Sequence, residues 1–202
     1  GPALAQRRWV AEISESSTET SPDNLAKTLR RATIAALREG EVGTDPDLQR
    51  LTSLGARAFG APMGAVALLD DDALWFCARH GFETQTVPAE GSPWASVVSL
   101  SDIESLIVED AAADARFASH VLVAGPTALR FYAGVPVTVH GQKIGAIGVM
   151  SPFAGIEADA GRMAALADLA RLAGSIFELK DEARVKARVS ADLIREEWGH
   201  AL

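Results

Sequence analysis

The chain has 202 residues, of which 48% are hydrophobic, and it carries a formal net charge of -8. This length suits one well-buried core with helical extensions and is too short for two ordinary domains. We predict no nucleic-acid partner, because neutralising phosphates requires clustered Lys and Arg and the 27 acidic residues outnumber the 19 basic ones.

Cys77 is the only cysteine, so the chain cannot form an internal disulfide and fits a reducing compartment, for which we predict the cytoplasm. The stretch nearest to a membrane span, residues 121–139, contains Arg130 and two prolines, so we predict no membrane segment. The N-terminus has no signal-peptide pattern, and Gly1-Pro2 is typical of a protease scar, which would make the chain an excised fragment.

The first sixty residues predict helices. A short helix over residues 4–13 and a polar linker over residues 14–20 come first. An amphipathic helix then begins after Ser21 and ends before Gly40, and its apolar face consists of Leu25, Leu29, Ala32, Ala36 and Leu37. A second helix begins after Asp45 and ends before Gly60, with an apolar face of Leu48, Leu51, Leu54 and Ala58.

Residues 64–69 and 73–80 predict the first two strands, joined by the acidic turn Asp70-Asp71-Asp72. A cation site would need carboxylates at alternating spacing and a turn glycine, so a solvated turn is the favoured interpretation. Cys77 lies in the second strand on the face of Trp75 and Arg79. A chromophore-linking or redox-sensing thiol is one interpretation, and a small packed residue is the favoured one.

The segment after residue 91 predicts a short helix that starts at Ser92-Pro93 and turns Trp94, Val97 and Val98 to one side. Further on, Phe131, Ala133, Val135, Val137 and Val139 alternate with other residues, which is typical of a strand with two different faces. We place a two-residue turn at Gly141-Gln142. The next strand, residues 144–150, contains Gly145 and Gly148. Glycine inside a strand is typical of a place where another backbone, a bulky side chain or a ligand comes close.

These motifs resemble those of the GAF domain family in its bacterial form. The matching positions are Asp110, Asp114, Arg116 and Phe117, then Arg130 to Gly134 with Pro136, then Gly141 and Gly145. The resemblance extends over residues 48–179, about two thirds of the chain. It implies an α+β fold with an antiparallel five- or six-stranded sheet flanked by helices. It also implies a small-molecule pocket on one face and a sensory role upstream of an output domain.

The sequence departs from the family in the short helix, where Trp94 and Ser96 replace the usual cysteine and histidine. In one interpretation Trp94 is a flat wall opposite Gly148, and the pocket takes a planar or apolar ligand. In the other, the indole itself fills the space. The sequence supports both equally. Candidate pocket residues are Trp75, Trp94, Val97, Val98, Asp110, Arg116, Phe117, Arg130, Tyr132 and Gly148.

Arg116 and Arg130 could each bind an anionic ligand, but a structural pair with Asp110 or Asp114 that fixes the covering loop to the sheet is favoured. Phe131 and Tyr132 must point to opposite faces of their strand, so at most one of them lines a given pocket. The four histidines show no ligand spacing, which gives zinc and haem little support, and no cofactor is identified. No nucleophile elbow, phosphate loop or cysteine pair is present, so we predict that the chain is not an enzyme.

Residues 156–198 contain no proline, which predicts one helix of about 40 residues and about 60 Å. Met163, Leu166, Ala170, Ala173 and Phe177 would pack on the sheet, and beyond Lys180 the helix would protrude and pair with a second copy. A helix that folds back on its own domain is the alternative. We therefore assign residues 1–42 as a helical extension, 43–179 as the GAF domain and 180–202 as a signalling helix.

The resulting hypothesis is a sensory domain that binds a small molecule and signals through a dimeric helical bundle to an output module. A ligand-free scaffold for dimerisation or protein docking is the alternative, and a photoreceptor domain that links a chromophore through Cys77 is a weaker one.

Overall fold

The computed structural model describes residues 21–200, and the predicted helix and linker at residues 4–20 lie outside them. N-terminal capping residues and prolines determine where the first two long helices begin. The Ser21 and Asp45 side chains accept bonds from backbone N–H groups of the first turns, and proline follows each cap. The helices are α1 Pro22–Glu39, α2 Pro46–Phe59, α3 Pro93–Ser99, α4 Val121–Ala124 and α5 Ala160–Gly199, with a 3-10 turn at Val42–Thr44.

Six strands form one antiparallel sheet, as the resemblance implied. They are β1 Met63–Asp70, β2 Ala73–His80, β3 Thr86–Pro88, β4 Leu106–Val108, β5 Phe131–Val139 and β6 Gln142–Ser151. Their order across the sheet is β3-β2-β1-β6-β5-β4. The sheet separates two apolar cores, one under α1, α2 and α5 and the other under α3, α4 and the loops around them.

The alternation predicted for β5 is confirmed. Phe131, Val135 and Val137 belong to the core under the long helices, whereas Tyr132 belongs to the core on the α3 side. The turn that follows β5 differs from the prediction by one residue. Val139 pairs with Gln142, so the loop is His140-Gly141, with φ values of 50° and 78°. Positive φ at both central positions is the type I′ geometry, whereas the predicted turn required it only at a first-position glycine.

The predicted apolar faces of α1 and α2 are partly wrong. On α1, the buried residues are Ile34, Ala36 and Leu37, and the residues before them are largely exposed. On α2, Leu54 is exposed whereas Thr52, Gly55 and Ala56 are buried. The α2 backbone approaches β1 closely at Gly64, where a Cβ would lie 2.5 Å from the Thr52 carbonyl oxygen and 3.5 Å from Ala56 Cβ. The buried face of α2 is completed by the larger residues Leu48, Leu51 and Phe59. Ala58, like Leu54, is exposed.

The acidic β1–β2 turn contacts α1. Arg31 forms an ion pair with Asp71, and Arg38 forms another with Asp70 at 3.3 Å. Asp71 has a φ of 57°, a conformation that aspartate tolerates better than most residues. These pairs hold the middle and the end of α1 against the sheet.

The predicted long helix is confirmed as α5, which has 40 residues and starts at an Asp159 cap. Its first half buries Leu166, Ala170, Ala173, Gly174 and Phe177. From Val185 onward every described residue is exposed. Between residues 21 and 200, no helix is long and apolar enough to cross a membrane.

Candidate functional site

Trp94 lies at the centre of the core on the α3 side. The Ser92 hydroxyl accepts a hydrogen bond from the Ala95 N–H at 3.1 Å, which starts α3 and turns Trp94 toward the sheet. The indole is fully buried. Its ring packs edge-on against Phe76 at 5.5 Å and against Tyr132 at 5.0 Å, centroid to centroid. Edge-to-face packing at these distances is favourable for aromatic rings.

Gly148 provides the space that the indole occupies. A Cβ at this position would lie 2.7 Å from Trp94 Cη2 and 2.8 Å from Tyr132 Cε2, closer than carbon atoms can approach. The glycine and the tryptophan therefore complement one another in size. Of the two interpretations left open by the sequence, this packing supports an indole that fills the space.

Two buried polar atoms in this cluster have no protein partner among the described residues: Trp94 Nε1 and the Tyr132 hydroxyl. Gly134 makes room for the hydroxyl, because a Cβ there would lie 2.0 Å from the Tyr132 oxygen. Burial raises the pKa of Tyr132 well above its ordinary value, so the phenol stays protonated. Each group can donate one hydrogen bond, and leaving it unmade costs about 1–3 kcal/mol. The cluster thus presents two donors that a ligand with acceptor atoms could satisfy.

The remaining candidates fall into three groups. Val97 and Val98 are buried beside Trp94, and Phe117 is buried in the same core. Asp110, Arg116 and Arg130 lie outside it. Trp75 is on the opposite face of the sheet, where the Arg38 guanidinium stacks 3.9 Å from its ring centroid. The aromatic of β2 that reaches Trp94 is Phe76, one residue further on. Strand alternation separates Phe76 from Trp75, but it does not indicate which face of β2 lies under α3.

Arg116 pairs within the loop, whereas Arg130, directly before β5, joins the loop to the sheet through a backbone carbonyl and not through a carboxylate. Arg116 binds Asp114 through two hydrogen bonds of 2.7 and 3.0 Å, and its guanidinium lies over Phe117. Asp110 accepts a hydrogen bond from the Ala112 N–H. The Arg130 side chain donates to the carbonyl oxygen of Val123 at 3.0 Å. The predicted Asp–Arg pair thus forms, but it stabilises the loop's own turn.

His120 is the buried polar residue that fixes this loop, and sequence reasoning treated it as an isolated histidine. Its Nδ1 accepts a hydrogen bond from the Leu122 N–H at 3.1 Å, and its Nε2 lies 2.7 Å from the Pro88 carbonyl oxygen. An accepting Nδ1 requires the neutral ring with the proton on Nε2, which then donates to Pro88. His120 therefore joins α4 to β3.

Cys77 is buried and its Sγ lies 3.4 Å from the Val66 carbonyl oxygen. Burial raises the pKa of the thiol to about 12. Since the thiolate is the reactive form, this environment favours the packed interpretation over covalent or redox chemistry. Within residues 21–200, no group of three His, Cys, Asp or Glu side chains could hold a metal ion.

The end of α3 is joined through Lys143 to the start of β6, directly after the β5–β6 turn. Its ammonium donates to the carbonyl oxygens of Val97 at 3.2 Å and Leu100 at 2.8 Å, and also to that of Ile103. These carbonyls belong to the last turn of the helix and to the loop after it, where a cation is favourable. Any movement of α3 is thereby coupled to the start of β6.

The same turn contacts the long helix. The His140 backbone N–H donates to Glu178 Oε1 at 3.0 Å, and its ring Nε2 lies 3.3 Å from Asp181 Oδ2. Lys180 extends from α5 to Asp45 at 3.1 Å. The turn therefore lies between α3 and the point where α5 leaves the core.

The GAF domain family model matches residues 45–176. A cyclic di-GMP phosphodiesterase of Pseudomonas aeruginosa is 29% identical over 122 residues, which are 60% of this chain and 20% of that protein. The chain thus spans about a fifth of the length of this curated relative.

Solved structures with the same fold include the GAF domain of Thermosynechococcus elongatus PixJ in its blue-light absorbing form, with a TM-score of 0.58 and 14% identity. That alignment covers 80% of this chain and 96% of the other. The type II free methionine-R-sulfoxide reductase of Thermoplasma acidophilum has a TM-score of 0.54 at 15% identity, and covers 75% and 94% of the two chains.

Proposed function

This chain belongs to the GAF domain family, and we propose that it is a cytoplasmic regulatory domain that binds a small molecule and signals through a dimeric helical bundle. Its relatives include signalling proteins. The chain itself would carry no catalysis: residues 43–179 would sense, and residues 180–202 would transmit to an output module. The similarity to a cyclic di-GMP phosphodiesterase makes an enzyme of that class a candidate output.

The observation that carries this proposal is the pair of unpartnered donors, Trp94 Nε1 and the Tyr132 hydroxyl, at the centre of the α3-side core. A ligand with acceptor atoms and a planar or apolar body would satisfy both donors and pack against their rings. Because the indole fills the space over Gly148, entry requires α3 or its loop to move outward. Ligand binding would therefore stabilise the conformation in which α3 or its loop has moved outward.

The entry path would lie beside Phe82, which packs edge-on against Phe76 at 5.2 Å. Phe82 lines an open groove of about 470 Å³ with Met63 and the loop around Ala128. From this groove, a ligand would reach the Trp94 cluster by displacing two rings. Movement of α3 would pull on Lys143, and the His140 contacts would carry the change to α5.

The dimer surface would be the flank of α5 that carries Leu169, Leu172, Ile176 and Leu179. These residues are spaced three and four apart, the repeat by which two helices pair. Leu172 and Leu179 are 53% and 65% exposed. A second copy of the chain is the partner that fits, because the stripe runs parallel to the helix axis and would meet its own image in a parallel pair.

Native mass spectrometry of the purified chain tests the ligand. We expect an additional small mass that is lost on denaturation, or a gain in melting temperature with one compound of a metabolite panel. The Tyr132→Phe variant should lose the additional mass or the gain in melting temperature. Trp75→Phe, an aromatic change on the opposite face of the sheet, should retain it. If the wild-type chain carries no additional mass, its melting temperature changes with no compound, and both variants give the same result, the ligand-free scaffold is correct.

The scaffold alternative is favoured by the size match between Trp94 and Gly148, which leaves a well-packed core. The scaffold alternative predicts a dimer whose melting temperature does not change with any compound of the panel. The photoreceptor alternative has less support, because Cys77 is buried with a raised thiol pKa.

A further inference from the structure

A second groove, of about 500 Å³, lies between α1, the end of α3 and the β5–β6 turn. Its volume is in the range of small-molecule sites. Lys27 and Arg30 line it from α1, and Lys143 lines it from the start of β6. Val98 forms part of its floor. None of its lining residues belongs to the Trp94–Tyr132 pair, so it is a separate site.

Arg30 is the informative group. Its side chain is partly buried, and this burial lowers the pKa of Arg30, an effect that the nearby Asp71 only offsets in part. Asp71 is itself the ion-pair partner of Arg31. Within residues 21–200 neither Arg30 nor Lys27 has a carboxylate at ion-pair distance. A partly desolvated guanidinium without a partner is stabilised by any anion that reaches it.

The groove is positive on an acidic protein. Three cations and the single carboxylate of Asp23 leave a net charge of +2 along its lining, against -8 for the whole chain. Lys143 already donates to backbone carbonyls, and the nearby carboxylates of Asp102 and Glu104 offset part of its charge, so Lys27 and Arg30 are the principal groups for a ligand. Lys27 and Arg30 are one helical turn apart on the same side of α1 and can bind one ligand together. The Ser99 and Ser101 hydroxyls offer neutral hydrogen bonds opposite them.

We propose that this groove binds a small oxyanion, a phosphate ester or a di- or tricarboxylate, between Lys27 and Arg30 on α1 and the end of α3. The first eight residues of α1 are all exposed, so its packing leaves this half of the helix weakly held. A bound oxyanion would tie it to the helix that carries Trp94. The site does not rest on the ligand proposed for the Trp94 cluster.

Isothermal titration of residues 1–202 with pyrophosphate and with citrate, at ionic strength fixed with NaCl, tests the proposal and distinguishes the two ligand classes. We expect saturable binding at one site per chain. Lys27→Gln and Arg30→Gln should each weaken it about tenfold, the loss expected for one charge-assisted hydrogen bond. Arg57→Gln, which removes an exposed cation from α2, is the matched control and should leave the affinity unchanged.

Hydrogen exchange supplies a local readout. Pyrophosphate or citrate should slow amide exchange in residues 22–33, and Lys27→Gln, an exposed change that leaves the fold intact, should remove this protection. Equal affinity in wild type and Arg30→Gln, or an effect that NaCl reproduces, would overturn the proposal. The Tyr132→Phe variant should still bind pyrophosphate or citrate. The test of the groove therefore remains valid even if no ligand binds at the Trp94 cluster.

Discussion

At the scale of the residue, size decides what the α3-side core can do. Gly134 and Gly148 carry no Cβ where the Tyr132 hydroxyl and the Trp94 ring come closest. The two glycines and the two large rings form one interlocking unit. Its packing is complete, but its hydrogen bonding is not. The proposed ligand site rests on this combination of close packing and unpartnered donors.

Replacing the indole tests the packing. Trp94→Ala should lower the free energy of unfolding by about 3–5 kcal/mol, because it leaves a cavity under α3. Urea unfolding followed by circular dichroism measures the loss. Trp198→Ala, at a tryptophan that is 72% exposed, is the control and should change stability by less than about 0.5 kcal/mol. A similar small loss at Trp94 would mean that the site is already open.

Removing the phenol oxygen tests the unpaired donor. Tyr132→Phe should leave the free energy of unfolding within about 0.5 kcal/mol of wild type, or raise it, because a buried hydroxyl without a partner contributes no stability. The same urea titration applies. Phe76→Leu, in the same cluster, is the comparison, and it should destabilise by about 1 kcal/mol through lost packing alone. A loss above about 1 kcal/mol in Tyr132→Phe would reveal a hydrogen-bond partner.

At the scale of the element, helix caps also serve as contacts between elements. The Asp45 carboxylate accepts hydrogen bonds from the Asp47 and Leu48 N–H groups and pairs with Lys180 of α5. Desolvation would raise the pKa of Asp45, but these hydrogen bonds and Lys180 outweigh it, so the pKa is lowered. One side chain therefore begins α2 and holds α5 where it leaves the core.

The lowered pKa predicts a pH dependence. A carboxylate whose folded pKa lies below its unfolded value of 3.8 stabilises the protein above that value, and the contribution is lost as pH falls through the folded pKa. Asp45→Asn keeps a capping oxygen and loses the charge, so it should be less stable than wild type near pH 7, by up to about 1 kcal/mol.

Thermal melts between neutral pH and pH 2–3 measure this difference. The gap between wild type and Asp45→Asn should close in acid, because both side chains are then uncharged. Asp192→Asn, on the exposed part of α5, should follow wild type at every pH. If the stability difference between wild type and Asp45→Asn is the same at every pH, the charge of Asp45 does not contribute to stability.

At the scale of the whole molecule, α5 is both a core element and a projecting rod. Its first half is anchored by residues such as Leu166, Ala173 and Phe177, and its second half contacts no core. A rigid helix transmits a displacement at its anchored end along its full length. A helix arranged in this way would suit the proposed dimer, in which the α5 helices of both copies move together.

Breaking the stripe tests the dimer. The double variant Leu172→Glu, Leu179→Glu should shift the chain from dimer to monomer with an unchanged circular dichroism spectrum, because four like charges would face one another in the pair. Sedimentation velocity gives the mass. Arg188→Glu, on the other side of α5, should remain dimeric. A wild-type monomer, or a double variant that still dimerises, would contradict the proposed surface.

The sequence alone determined the elements whose signals are local. Caps and prolines fixed where α1, α2 and α3 begin, alternation fixed the two faces of β5, and the absence of proline predicted the length of α5. Such signals depend on hydrogen bonds and side-chain directions within a few residues, so they can be read along the chain. The family resemblance added the antiparallel sheet and its flanking helices, and the strand order came from the structure.

Only the tertiary structure decided which neighbours these elements meet. Trp75 and Phe76 are adjacent in sequence, and the side of the sheet on which α3 packs determined that Phe76, not Trp75, contacts Trp94. Leu54 is exposed because the face of α2 that meets the sheet and α5 is the one that carries Thr52, Gly55 and Ala56. Burial and pairing are properties of surfaces brought together from distant parts of the chain, and no local pattern specifies them.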